Sequence, residues 1–188
     1  MRNIPASPTP KFAIITHMPK QSAGILLYRK AATGYEVLLV HPGGPFWVKK
    51  DKASWSIPKG EPNEGEAMLD AAKREFKEEV GTDAPDGDYA VFEPAKQPSG
   101  KVVHAFALES DFDISAFKSM TIDLEWPPKS GRMQQFPEND KVAWISLDDA
   151  LEKVVKGQVP ILGQLLSLLG VTAADTLASS DNPQTTLF

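Results

Sequence analysis

Two aliphatic runs open the regular part of the chain. Residues 23–29 (AGILLYR) and 35–41 (YEVLLVH), separated by Ala-Thr-Gly, read as paired strands. A stretch rich in Gly, Pro and Lys follows at 42–52, then a short apolar run at 54–57 that reads as another strand. Residues 63–80 change period: Leu69, Ala72, Phe76 and Val80 recur at helical spacing, and Gly81 supplies the residue that commonly closes a helix. Strand signals return at 89–92, 101–108, 122–126 and 141–147. Residues 147–155 and 159–169 read as helices, the second with Ile161, Leu162, Leu165, Leu166, Leu168 and Leu169 as its apolar set. No internal repeat or second domain interrupts the series, so the pattern predicts one α/β domain over 21–170. The proline-rich start, 1–20, is expected to be a poorly ordered leader, with Met18 as an alternative start. The small, polar 171–188 is expected to be a flexible tail.

Composition narrows the class. The chain has 188 residues, 41% hydrophobic and 24% charged, the balance of a globular protein. Lys plus Arg number 20 against 25 Asp plus Glu, a net charge of −5 that disfavours nucleic-acid binding by bulk charge. The absence of cysteine excludes disulfides, thiolate nucleophiles and cysteine–zinc sites, and fits a reducing cytoplasm. No stretch approaches the roughly 18 apolar residues needed to cross a bilayer.

The helix at 63–80 carries a local contradiction. Asn63 reads as its N-cap, with Glu66 completing a capping box. Glu75, Glu78 and Glu79 fall at i, i+3 and i+4, so three like charges share a face in the last turns. There the macrodipole disfavours anions, by roughly 0.3–1 kcal/mol each. Violations of local rules concentrate at functional sites, and a hard divalent cation held by carboxylate oxygens would turn this repulsion into attraction. The plainer alternative is a solvated acidic face neutralised by Arg74 and Lys77.

The surroundings decide between the two. Gly60, Glu66, Arg74, Glu75, Glu78, Glu79 and Gly81, with Phe76 and Thr82 at the bulky positions, resemble the Nudix box, G-x5-E-x7-R-E-U-x-E-E-x-G-U. Every fixed position is matched; Thr82, where a bulky apolar residue is usual, is a mild departure. The flanks AGILLYR, EVLLVHPGGPFW, WSIPKG and FPENDKVAWISLDDA extend the likeness over about 20–170. They are similar to bacterial proteins described as predicted nucleoside-triphosphate pyrophosphohydrolases. The WSIPKG lead-in is also similar to that of asymmetrical diadenosine tetraphosphate hydrolases.

The resemblance implies an α/β/α sandwich around a mixed sheet. It also implies a Mg²⁺- or Mn²⁺-dependent hydrolase that splits a diphosphate linkage by attack of water on phosphorus. Glu78 and Glu79 become the principal metal ligands, joined by the backbone carbonyls of Lys59 and Gly60. Glu75 is either a further ligand or the general base. Arg74 orients the glutamates, and Glu66 is a structural cap. A further acid from the loop before the last core strand is expected at Glu138, with Asp140 as the alternative. For substrate binding, Lys59, Lys52, Lys50 and Arg132 are the candidate phosphate contacts, with Lys49 and Lys129 beside them. Phe46, Trp47 and Phe136 are candidates to stack on a nucleobase. His41 and His104 are expected to pack or hydrogen-bond rather than catalyse. The partner implied is a small nucleotide, handled by a monomer or homodimer without membrane or nucleic acid. The competing class is a catalytically silent nucleotide sensor on the same fold; such proteins typically lose box carboxylates, and all are present here.

Overall fold

A computed structural model of the chain describes residues 19–171. The expectations for a leader before 19, an alternative start at Met18 and a tail after 171 lie outside the described residues.

The longest runs of apolar residues form the centre of a mixed sheet. β1 (Gln21–Lys30) pairs in parallel with the whole of β6 (Val102–Glu109), from Gln21↔Val102 to Tyr28↔Glu109. β2 (Tyr35–Pro42) pairs antiparallel with β9 (Asn139–Ser146). With the short β4 (Ala90–Val91), the order across the sheet is β4-β6-β1-β2-β9, and β5 (Ala95–Lys96) also pairs β6. The uninterrupted hydrophobicity of β1 and β2 follows from burial on both faces. Ile25, Leu27, Leu38 and Val40 face the helix α1 (Met68–Val80), packing on Ala71, Ala72, Phe76 and Val80. Leu26, Val37 and Leu39 face the other way, towards α2 (Leu147–Lys153) and α3 (Val159–Leu169), where they meet Leu147, Ile161, Leu162 and Leu165. The result is the expected α/β/α sandwich. Among the described residues no helix is long and apolar enough to cross a membrane.

The sheet is split at one place, and the split positions the site. β1 and β2 pair only through Tyr28–Lys30, next to their connecting turn. Beyond that, residues 55–60 wedge between them. Ser56 exchanges both backbone hydrogen bonds with Val40, and Ile25 N–H donates to the Pro58 carbonyl at 3.1 Å. β3 (Lys59–Gly60) then pairs antiparallel with Gly24 and Ala23. Gly24 permits that approach, since a Cβ there would lie 2.6 Å from Lys59 Cβ and from the Pro58 oxygen.

Several expected elements are corrected. Residues 54–57 are not a strand: Trp55 and Ser56 make isolated bridges to Val154 and Val40, and the strand comes two residues later as β3. The helix does not begin near Asn63 but at Met68, with Ala67 as its cap and no side-chain capping bond. Glu66 does accept from Asn63 N–H at 2.8 Å, but in the turn before the helix, because its carboxylate is also gripped by Arg74. The helix expected over 147–155 ends at Lys153. Between the strand signals at 122–126 and 141–147, where no element was expected, lies β8 (Met133–Pro137), which pairs with β7 (Thr121–Glu125) as a separate two-stranded sheet.

Candidate active site

Arg74 organises the box residues. It emerges nearly two turns into α1 and uses all five of its N–H donors. Nε and Nη2 form a bidentate pair with Glu66, at 3.0 and 2.9 Å. Nη1 reaches Glu75 Oε1 at 2.7 Å and Glu78 Oε1 at 3.2 Å, and Nη2 also donates to the Glu61 carbonyl at 3.0 Å. The guanidinium and the Asn63 N–H hold the Glu66 carboxyl down at about 2. The acidic face is therefore neutralised by Arg74 but not by Lys77, whose ammonium pairs with Asp83 at 2.8 Å.

Glu79 behaves differently from its neighbours. It points inward and is only 6% exposed, so the three box glutamates do not present alike. Its Oε1 accepts the Lys59 backbone N–H at 3.2 Å, and its Oε2 accepts from Asn139 Nδ2 at 3.1 Å. Burial pushes its pKa up to about 7, opposed by Lys59 and reinforced by Glu138. Glycine at 60 leaves the space that the Glu75 carboxylate occupies; a Cβ there would displace that carboxylate. The backbone of β3 thus lies directly against α1, with the Lys59 and Gly60 carbonyls in that strand.

Glu138 sits between β8 and β9. Its pKa is raised by burial first, then by the negative charges of Glu75 and Glu78, while Lys59 lowers it. The loop acid expected from sequence is thus brought to the box carboxylates. Asp140 is engaged elsewhere, with Oδ1 2.7 Å from His41 Nδ1. His41 is buried, and its Nε2 lies 2.7 Å from the Lys50 carbonyl. The two histidines hold structure as expected, His104 through Gln21 at 2.6 Å.

A cavity of about 340 Å³ opens beside these groups, with Trp47, Lys59, Glu79, Glu138 and Asn139 in its walls. The other substrate candidates scatter. Lys50 sits over the Trp47 ring, 4.5 Å from its centroid. Lys52 is bonded to Glu152 of α2 at 2.7 Å. Phe46 stacks edge-on against Trp126 with centroids 5.0 Å apart, and Phe136 pairs with Ile122 across the β7–β8 hairpin. Arg132 and Lys129 stand near the hairpin turn, away from the walls of this cavity. Sequence reasoning missed Asn139, the side-chain anchor of Glu79. Its only signal was adjacency to Glu138. Gln97 and Ser54, which also line the cavity, gave none.

The oxygens available to a cation follow from these bonds. Glu75 Oε2 and Glu78 Oε2 have no hydrogen-bond partner among the described residues. No three His, Asp or Glu side chains among the described residues stand close enough to hold one metal ion. Arg74 holds two of the expected ligands, and Lys59 N–H with Asn139 holds a third.

The NUDIX domain family model matches residues 18–165. A binary complex of the C. elegans Ap4A hydrolase matches with a TM-score of 0.53 at 24% identity, over 79% of this chain and 98% of that one. The NUDIX domain of Shewanella oneidensis NrtR complexed with ADP ribose matches with a TM-score of 0.54 at 16% identity, over 81% and 89%. At such identities the likeness is one of fold. No curated protein matches the chain.

Proposed function

The chain belongs to the NUDIX domain family, and on that premise we propose that it is a Mg²⁺- or Mn²⁺-dependent pyrophosphohydrolase of nucleoside triphosphates or dinucleoside polyphosphates. The observation that carries this reading is that Glu138 lies within electrostatic range of Glu75, Glu78 and Glu79, near enough for Glu79 and Glu138 to have pKa raised by burial and repulsion, though not yet gathered around one ion. Lys59 and Arg74 are the cations among them. Hard carboxylate oxygens in excess of positive charge suit Mg²⁺ or Mn²⁺.

Glu78 and Glu79 would be the principal ligands, with Glu138 and the Lys59–Gly60 carbonyls completing the set and Glu75 as ligand or general base. Once bound, the metal would neutralise the diphosphate and acidify the attacking water. Arg74 holds Glu75 and Glu78 by one oxygen each and leaves the other free. The Lys59 ammonium supplies a phosphate contact in the cavity wall. Of the remaining basic candidates, Lys50, Arg132 and Lys129 lie outside the cavity walls and would contribute only to attracting the polyphosphate, whereas Lys52 is tied to Glu152. The WSIPKG lead-in and Glu138 favour a dinucleoside tetraphosphate. A small acidic protein without cysteine acting on nucleotides fits the cytoplasm, as a monomer or homodimer.

Product analysis with Mg²⁺ and diadenosine tetraphosphate tests this, with Glu79→Gln as the control. ATP plus AMP, lost in the variant, is the expected result. Nucleoside triphosphates, nucleotide sugars and oxidised nucleotides complete the panel. Silence across all of it overturns the reading. Glu138→Gln is expected to lower kcat, and an unchanged kcat removes Glu138 from the ligand set.

A further inference from the structure

One buried side chain outside the box meets a hydrogen-bond acceptor on each of its two sides. His41 is 1% exposed, near the end of β2. Its Nδ1 lies 2.7 Å from Asp140 Oδ1, and its Nε2 lies 2.7 Å from the Lys50 carbonyl oxygen. A carbonyl oxygen only accepts, so Nε2 carries a proton. An ionised carboxylate also only accepts, so Nδ1 carries one as well. A neutral imidazole has a single N–H and serves one such partner, not two. The ring is therefore an imidazolium, with Asp140 as its counterion. Asp51 adds a second negative charge within range: its pKa is lowered by Lys153 and Trp55 first, and by His41 as well.

The two acceptors belong to two segments that build the cavity. Lys50 closes the turn that carries Trp47, and Asp140 follows Glu138 and Asn139 where β9 begins. Trp47, Glu138 and Asn139 all line the cavity. Inside the turn the hydrogen bonds are local: Trp47 N–H donates to the Gly44 carbonyl at 3.1 Å, and Lys50 N–H to the Trp47 carbonyl at 2.7 Å. Among the described residues, only the bond from His41 to the Lys50 carbonyl ties residues 44–50 by hydrogen bonding to the rest of the chain. The half-exposed Phe46 adds its contact with Trp126. The base of the turn is fixed separately, by Gly43 N–H on the Glu138 carbonyl at 2.7 Å and by the pairing of Pro42 with Asn139.

We propose that His41 is a positioning residue for the substrate-binding wall: donating from both ring nitrogens, it staples the Trp47 turn to β9 and so fixes Trp47 relative to Glu138. His41 does not itself line the cavity, so it acts through the turn. Charge-assisted hydrogen bonds in a buried setting are the strong kind, which suits one bond to the task of holding a seven-residue turn. The role at the substrate wall rests on the pyrophosphohydrolase reading, whereas the staple rests on the hydrogen bonds alone.

Asparagine places its amide nitrogen about where Nδ1 stands, and glutamine about where Nε2 stands, so each replacement keeps one of the two donors. Nitrogen NMR of the full-length protein at neutral pH is expected to show both ring nitrogens of His41 protonated. A single N–H overturns the two-donor staple. In His41→Asn the Trp47 and Lys50 amides are expected to exchange about tenfold or more faster, while the β1–β6 ladder stays protected and reports a folded protein. His41→Gln, with its donor towards the Lys50 carbonyl, is expected to keep those two amides within about twofold of the wild type. KM for the polyphosphate is expected to follow the same order, rising about tenfold in His41→Asn with kcat changed by less than about threefold. Exchange that is unchanged in His41→Asn overturns the proposal, as does a turn that loosens equally in both variants. A fall in kcat with KM unchanged removes His41 from the substrate wall. If the turn loosens in His41→Asn alone while the wild type hydrolyses no polyphosphate, the hydrolase reading fails and the staple stands.

Discussion

Arg74 spreads its five donors over four partners, Glu61, Glu66, Glu75 and Glu78, and no other side chain can do so. Lysine keeps the charge but offers a point rather than a planar fork. Arg74→Lys is therefore expected to release at least one of Glu66, Glu75 and Glu78. It should lower stability by about 1–3 kcal/mol and kcat by about 10–100-fold, measured by urea unfolding and steady-state assay. Glu79 presents the opposite balance, a buried carboxylate that the fold holds at a cost. With its pKa raised from the ordinary 4.5 to about 7, the folded state retains a proton that the unfolded state has released. Stability therefore falls as the pH rises through that window and levels off above it. Glu79→Gln removes the penalty. In metal-free buffer the variant is expected to exceed the wild type by roughly 1–3 kcal/mol at pH 8, with the gap closing towards pH 4.5, while activity is lost. Equal stabilities across that range would mean that the carboxylate carries no burial cost. Glu75, Glu78 and Glu79 were legible in sequence because charge repulsion at helical spacing is visible in one dimension, whereas Glu138 and the role of Arg74 came only from the family resemblance. Asn139 was not legible, because a neutral polar side chain acquires its role only from what the fold places beside it.

Elements with strong periodicity were read with little error. α3 falls at 159–169 as expected, and β1, β2, β6 and β9 differ from expectation by a few residues at their ends. The failures share a cause. β3 is two residues long and β8 (MQQFP) has no alternation, so neither carries a local signal, and their hydrogen bonds are set by distant partners. The start of α1 was misplaced because Glu66, a good capping residue, is drawn to Arg74 instead. The wedge at 55–60 gives the element scale its own test. Gly24→Ala would push a methyl against Lys59 and the Pro58 carbonyl, forcing β3 away from β1. The expected result is a loss of about 1–3 kcal/mol on thermal unfolding, with a fall in kcat because the Lys59 N–H no longer meets Glu79. Unchanged activity at reduced stability would separate β3 from the site.

At the scale of the whole molecule, the sandwich has two cores, one on each face of a shared sheet. The box helix covers one face, and α2 and α3 cover the other. The candidate site lies at the end where the sheet splits, fed by α1, β3 and the start of β9. Its central carboxylate is anchored by groups 20 and 60 residues away along the chain.

The parallel pairing of β1 with β6 joins Gln21 to Val102, so everything between them, α1 included, must be enclosed before the sheet's longest ladder can close. The entropy of closing that loop precedes any reward from the contacts, which makes such ladders slow to form. Helix formation needs no such closure and is fast. On refolding from denaturant, the far-ultraviolet circular dichroism of the helices should therefore return ahead of hydrolytic activity, which waits for β3 and Asn139 to reach Glu79. A newly synthesised chain would pass through an interval in which its acidic helix exists before its site does.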